Sequence, residues 1–212
     1  MSRVLSALSA LFLASCSYQV ANEPPQAPDP FTAYTDKVPG KWVLLVDAEG
    51  LKAEPQAPEL RCNQFGYPMD LSKPFVKLAA STFEKVADDV RPFDHQLSRA
   101  EIASNGFTGE IAIHITEFRP RVKVDGVLDA TATADTEIAG TILVTKAGQR
   151  MLDVSEAAKG EGTRDAGIIC GGAADALSDS SSAAMQDLVR KFAEQFANSH
   201  DIRNSVPGYA PQ

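Results

Sequence analysis

Three cysteines, three histidines and one serine-rich segment are the residues of this 212-residue chain that could carry chemistry. His95, His114 and His200 stand far apart, and none lies in an H-E-x-x-H helix, a phosphate-binding loop or a G-x-S-x-G turn. The serines and aspartate of residues 178–182 could form a nucleophile site, but such side chains before an apolar helix are typical N-caps. We therefore expect no catalytic residue, no cofactor and no metal site.

The most informative cysteine is Cys16, which ends the run Leu13-Ala14-Ser15-Cys16. Before it, a single cation, Arg3, precedes residues 4–14, which are uncharged and mostly apolar. That segment is too short to span a bilayer and has the length of a signal-peptide core. The run resembles the lipobox of bacterial lipoproteins. In that class the thiol receives a diacylglyceryl group, the chain is cut before the cysteine, and the new amino group is acylated, for example with palmitate.

The resemblance implies that residues 1–15 are a lipoprotein signal peptide and that Cys16 anchors the mature chain in a membrane. A plain signal peptide, with Cys16 merely close to the cleavage site, is the alternative. Lipoproteins with Asp after the cysteine tend to stay at the inner membrane, and this chain has Ser17. We therefore expect the periplasmic face of the outer membrane. Three acyl chains anchor a protein almost permanently, since each buried methylene adds about 0.8 kcal/mol.

The acidic composition restricts the partners further. The formal net charge is -8 at pH 7, which argues against binding to nucleic acid or to an anionic membrane surface. No later segment is apolar for long enough to form a transmembrane helix. The expected partners are the membrane, through the lipid anchor, and a protein of the cell envelope.

Cys62 and Cys170 are the two thiols that remain once Cys16 carries lipid. Exported compartments oxidise thiols, so we predict a disulfide between them. It would join the entrance of the first helix to the entrance of the last, and it requires Cα atoms no more than about 7 Å apart. Two unpaired buried thiols are the alternative. A metal site is disfavoured because neither cysteine has a second Cys or His at ligand spacing.

Proline marks the boundary between anchor and domain. It recurs through residues 16–40, which predicts an extended tether of about 3.1 Å per residue that could hold the domain several nanometres from the lipid. Residues 41–202 are expected to form a single periplasmic domain. Residues 203–212, with three more turn-forming Pro and Gly residues, are expected to be a flexible tail.

The first half of the domain contains one clear strand and one clear helix. Residues 41–47 are apolar and β-prone, which is typical of a strand buried on both faces. A helix is predicted from Pro74, with an apolar stripe that continues to Val90 and ends before Arg91-Pro92.

The second half alternates between apolar and polar residues from Glu110 onward, which indicates strands. Residues 146–149 form the turn of a hairpin, with Gly148 at positive φ. Its second arm weakens into residues 156–162, which could be a fraying strand or a helical turn. A final helix follows, with one apolar face formed by Leu177, Ala184, Leu188, Phe192 and Phe196.

This order of elements predicts an α+β fold, a two-layer sandwich with a mainly antiparallel sheet and two amphipathic helices on one face. The order, together with the lead Tyr67-Pro68-Met69-Asp70-Leu71 into the first helix, resembles small envelope lipoproteins of bacteria. These include the lipopolysaccharide-assembly, transporter-auxiliary and curli-secretion lipoproteins. The resemblance implies a non-catalytic accessory in assembly or transport, and a periplasmic binding module for a small or lipidic ligand is the alternative.

Overall fold

A computed structural model describes residues 18–20, 23–59, 62–126 and 129–206. The predicted lipobox, including Cys16, and residues 207–212 of the predicted tail lie outside this range. In chain order the elements are β1 (Val38–Asp47), β2 (Lys52–Ala53), β3 (Met69–Asp70), α1 (Ser72–Val86), β4 (Ala87–Phe93), α2 (Arg99–Ser104), β5 (Gly109–Asp125), β6 (Thr131–Lys146), β7 (Gln149–Asp165), α3 (Gly172–Asn198) and α4 (His200–Ser205).

The main sheet has five strands in the order β4-β1-β5-β6-β7. β1 lies between β4 and β5 and is parallel to both, whereas β5, β6 and β7 form an antiparallel meander. The α+β architecture is as predicted, but the sheet is mixed and the expectation of a mainly antiparallel sheet holds only for its second half. The two parallel pairs escaped prediction because parallel partners are joined by crossovers and leave no hairpin signature in the sequence.

The predicted first helix extends too far, because its last residues form a separate strand in the structure. α1 ends at Val86, and Ala87–Phe93 form β4, the parallel edge partner of β1. Ala87 and Val90 continue the spacing of the helical stripe, so periodicity alone did not reveal the change. The residue before Pro92 is biased towards extended geometry, which favours the strand at this end.

The helices α1 and α3 cover one face of the sheet, as predicted, and enclose the core. Phe83 of α1 and Phe196 of α3 have ring centroids 5.6 Å apart, and Trp42 of β1 meets Phe196 edge-on at 5.2 Å. All three rings are fully buried. Burying a side chain of this size stabilises the fold by about 1.5–3 kcal/mol, so this aromatic cluster joins the two layers.

The ambiguous stretch 156–162 is part of β7, and its glycines explain the weak signal. A Cβ at Gly160 or Gly162 would collide with carbonyl oxygens of α3, so only glycine lets the helix lie this close to the strand. The serines predicted as N-caps lie inside α3, which already begins at Gly172. Ser180 and Ser181 are buried there, with Oγ atoms 2.8 and 3.1 Å from Oγ1 of Thr136 on β6.

The predicted tether packs on the domain instead of extending away from it. Residues 23–37, called here the N-terminal strap, run along the helical layer without strand partners. Side chains bond their backbone: Gln186 donates to the carbonyl of Gln26 at 2.8 Å, and the amide of Phe31 donates to Glu194 at 3.0 Å. Lys85 of α1 donates to the carbonyl of Ala27 at 2.8 Å. Proline lacks an amide donor, so side chains supply these bonds where a ladder could not.

The start of the predicted tail also belongs to the fold. Arg203 of α4 is buried and donates to the carbonyls of Ala197 at 2.6 Å and Asp36 at 3.0 Å. Its guanidinium lies 4.0 Å from the ring centroid of Tyr34. Arg203 therefore ties the strap to the C-terminal end of α3. None of the helices in the described ranges combines the length and hydrophobicity that crossing a membrane requires.

Candidate functional site

Cys62 and Cys170 form a disulfide at one end of the domain, with Cα atoms 5.9 Å apart across 108 positions of sequence. Cys170 lies directly before α3 and has a φ of 63°, in the left-handed region that favours glycine. Tyr67 Oη donates to its carbonyl at 3.2 Å. Burial, with a smaller effect from Tyr18, raises the pKa of Tyr67 to about 12, so this donor keeps its proton at physiological pH.

The chain that follows the predicted lipobox is docked on the same end. The amide of Tyr18 donates to the carbonyl of Gly66 at 3.1 Å. The Tyr18 ring packs edge-on against Phe65, with centroids 5.3 Å apart, and stacks on Tyr67 at 6.2 Å. Tyr18, Phe65, Tyr67 and the disulfide, together with the loop described next, are called the disulfide end.

The loop between β7 and α3 exposes two neighbouring isoleucines at the disulfide end. Ile168 is 88% exposed and Ile169 is 63% exposed. Among the described residues, the third exposed large hydrophobic side chain is Phe31, which is bound near the opposite end of α3. Isolated exposed apolar residues are common, but two adjacent ones next to the disulfide make this loop a candidate interaction surface.

A second candidate site lies on the other face of the sheet, between α2 and the strands β5 and β6. It is a cleft of about 310 Å³, the lower end of the range for small-molecule sites, which begins at about 300 Å³. Its apolar walls are formed by Leu97, Ile102, Phe107 and Leu143, and Arg99 adds positive charge. Lys146 also lines the cleft, but its Nζ donates to the carbonyl of Ser205 in α4. This space is called the α2 cleft.

Glu110 of β5 supplies a buried carboxyl group to the α2 cleft. It points away from the helical core because its neighbour Ile111 points into it. The side chain is only 6% exposed, and within the described chain its Oε2 has no hydrogen-bond partner. Burial raises the pKa of Glu110, and a hydrogen bond with Gln96 opposes that change. A buried acceptor without a partner attracts a ligand that carries a hydrogen-bond donor.

Local capping holds α2 over this cleft. Ser98 and Glu101 form a capping box: the Ser98 amide donates to Glu101 Oε2 at 2.8 Å, and the Glu101 amide donates to Ser98 Oγ at 3.3 Å. These bonds from Ser98 lower the pKa of the Glu101 carboxyl. The sequence shows this motif, Ser98 with Glu101 three residues later, but it does not show which face of the sheet the helix covers.

The structure does not bring the three histidines into one site. His114 Nδ1 lies 2.8 Å from Asp47 Oδ2, across the parallel pair β1–β5. His95 contacts its neighbour Asp94, and His200 Nδ1 lies 3.2 Å from the hydroxyl of Tyr34. All three are exposed, as expected for His114 from the strand pattern. Across the described ranges, no group of three His, Cys, Asp or Glu side chains is placed to hold a metal ion.

Comparisons with known proteins find solved structures that are similar to this chain, but no match by sequence. No protein-family model and no curated protein matches the chain. Protein XCC0632 from Xanthomonas campestris is 11% identical with a TM-score of 0.49, over 86% of this chain and 95% of that one. Hypothetical protein CT253 from Chlamydia trachomatis is 13% identical with a TM-score of 0.43, over 76% and 97%. A minor lipoprotein from Acinetobacter baumannii is 10% identical with a TM-score of 0.36, over 73% and 90%.

Proposed function

We propose that this chain is a lipid-anchored lipoprotein on the periplasmic face of the outer membrane, where it acts as a non-catalytic accessory in envelope assembly or transport. The observation that carries the proposal is the lipobox-like run Leu13-Ala14-Ser15-Cys16 after an uncharged apolar segment. The disulfide supports it, because such bonds persist in oxidising compartments such as the periplasm.

The edge strand β7 supports a docking role for the domain. It is 17 residues long, and in the described structure no strand pairs with its outer side. Exposed edges of this kind accept strands from partner proteins. Lys159 and Glu161 of β7 are exposed on the sheet face opposite α3, where Lys159 pairs with Glu137 of β6, and charges along an edge strand suppress indiscriminate pairing. The envelope partner would then be a protein that complements both the backbone edge and its charges.

Cys16→Ser tests the anchor directly. We expect the variant to leave the membrane fraction or to remain as an unprocessed precursor, because the acylated thiol is lost. Ser15→Ala is the matched control, since it keeps a small residue before the cysteine and should stay membrane-bound. Fractionation and gel migration of both variants give the answer. A Cys16→Ser protein that fractionates and migrates like the wild type contradicts the proposal.

A second candidate function is a periplasmic binding module for a small or lipidic ligand, and the α2 cleft is the observation that favours it. The apolar walls and the buried Oε2 of Glu110 suit an apolar molecule that carries an amine or hydroxyl group.

Native mass spectrometry of protein purified from membranes tests this binding. We expect a bound species that is lost in Glu110→Gln and retained in Glu117→Gln, because Glu117 lies on the same strand and pairs with Arg119 outside the cleft. A wild-type protein without any bound species, or equal retention in both variants, would rule out Glu110 as the recognition group.

A further inference from the structure

The exposed isoleucines lie beside the point where the chain emerges from its predicted lipid anchor. Tyr18 is two residues after Cys16, and two extended residues span at most about 7 Å. The Tyr18 ring lies against Gly171, close enough that a Cβ there would be 3.6 Å from Tyr18 Cε1. Ile169 is only two residues before Gly171, so the isoleucines and the anchor are at the same end of the domain.

The loop holds these side chains outward by several constraints. The amide of Ala166 donates to the carbonyl of Ala130 at 2.8 Å, and the amide of Gly172 donates to the carbonyl of Ala166 at 3.3 Å. The Gly167 amide donates to Asp165 Oδ1 at 2.8 Å. The disulfide fixes Cys170, the residue directly after Ile169. These bonds and the disulfide hold both ends of the loop in the conformation that exposes Ile168 and Ile169.

The chain after Cys16 packs on the domain, so it does not act as a long tether between the lipid and the domain. Tyr18 is bonded to the domain through Gly66, so slack between lipid and domain is limited to the short segment before it. The disulfide end must therefore lie against the membrane surface whenever Cys16 carries lipid. α3 has 27 residues and a length of about 40 Å, so Phe31, at its C-terminal end, lies far from the disulfide end.

We propose that Ile168 and Ile169 insert into the lipid surface beside the anchor and fix the orientation of the domain on the membrane. The proposal rests on the lipid anchor of the proposed function. The partner is a zwitterionic lipid surface, because the chain carries a net charge of -8, which an anionic surface would repel. Two inserted isoleucines and a three-chain anchor give two points of attachment, so the domain would stand with α3 directed away from the bilayer.

Tryptophan fluorescence in vesicles tests the insertion. The full lipidated chain has a single tryptophan, the buried Trp42, which gives a constant background. Ile169→Trp is reconstituted into phosphatidylcholine vesicles with or without brominated acyl chains. We expect a blue-shifted emission and a loss of most of the added fluorescence in brominated lipid. Phe31→Trp is the matched control, exposed at the far end of α3, and should be unaffected.

Flotation of the same vesicles separates the two proposals. Protein that floats while Ile169→Trp stays unquenched leaves the anchor intact and overturns the insertion. Protein that does not float overturns both. A blue shift without quenching means that the loop is covered by protein and also overturns the insertion. Ile168→Trp repeats the test at the neighbouring position, so that one poorly folded variant cannot decide the result.

Discussion

At the scale of single residues, Glu110 is a carboxyl group in an environment that does not suit its charged form. It lies at the start of β5 with one carboxylate oxygen bonded by Gln96 and the other buried without a partner in the described structure. A buried acceptor without a partner costs about 1–3 kcal/mol of stability. Such an oxygen needs an explanation, and a bound ligand that donates a hydrogen bond supplies one, which makes the α2 cleft the second functional candidate.

Glu110 also predicts a pH dependence with a definite sign. Burial raises the pKa of Glu110 in the folded state above its unfolded value, so the folded state binds more protons between the two values. Stability therefore falls as the pH rises from the unfolded pKa through the folded pKa. Glu110→Gln removes this titration. We expect the variant to melt a few degrees higher than the wild type at pH 7, and the difference should shrink at pH 4.

Thermal melts of both proteins across this pH range, followed by circular dichroism, provide the measurement. Glu117→Gln is the control, because no such burial surrounds that partly exposed side chain, and its pH profile should match the wild type. A Glu110→Gln protein with the same pH dependence as the wild type would show that the carboxyl group is solvated or paired in solution.

At the scale of elements, a prediction from the sequence was correct where the residue pattern is compatible with only one backbone conformation. The β6–β7 turn is such a case, because Ala147 and Gly148 have φ values of 49° and 80°, as a tight hairpin requires. The apolar stripe of α1 was ambiguous at its C-terminal end, since Ala87 and Val90 are compatible with a helix or with a strand. Parallel pairing with β1, a contact remote in sequence, decided for the strand.

The N-terminal strap shows a second kind of limit. Proline recurrence correctly indicates an extended chain without strand partners, but it carries no information about what the chain lies against. The strap is bonded by Gln186, Lys85 and Glu194, which belong to helices up to 163 positions away in sequence. The α2 cleft was missed for the same reason: Ser98 and Glu101 signal a cap, and nothing in that signal shows that the helix covers Glu110.

At the scale of the whole molecule, the disulfide joins the loop before α1 to the start of α3 and so stabilises the end that carries Tyr18 and the isoleucines. Closing a loop of 108 positions stabilises the fold by about 4 to 5 kcal/mol in the chain-entropy model. The aromatic cluster of Trp42, Phe83 and Phe196 lies at the other end of α3, remote from the disulfide, so we expect that part of the core to form without the bond. Losing the bond should weaken the domain without unfolding it.

Cys62→Ser combined with Cys170→Ser tests this reasoning. We expect the double variant to fold and to melt at least several degrees lower than the wild type. About 1 kcal/mol shifts the Tm of a domain of 150–250 residues by about 2–4 °C, and the bond contributes up to about 4 to 5 kcal/mol. Dithiothreitol should lower the Tm of the wild type by a similar amount and leave the double variant unchanged, which separates the loss of the bond from the effect of the serines. Thiol labelling of denatured, unreduced protein taken directly from cells checks the premise. Two labelled cysteines would mean that the bond is absent in the cell and that the disulfide end is held by Tyr18, Tyr67 and the hydrogen bonds around them.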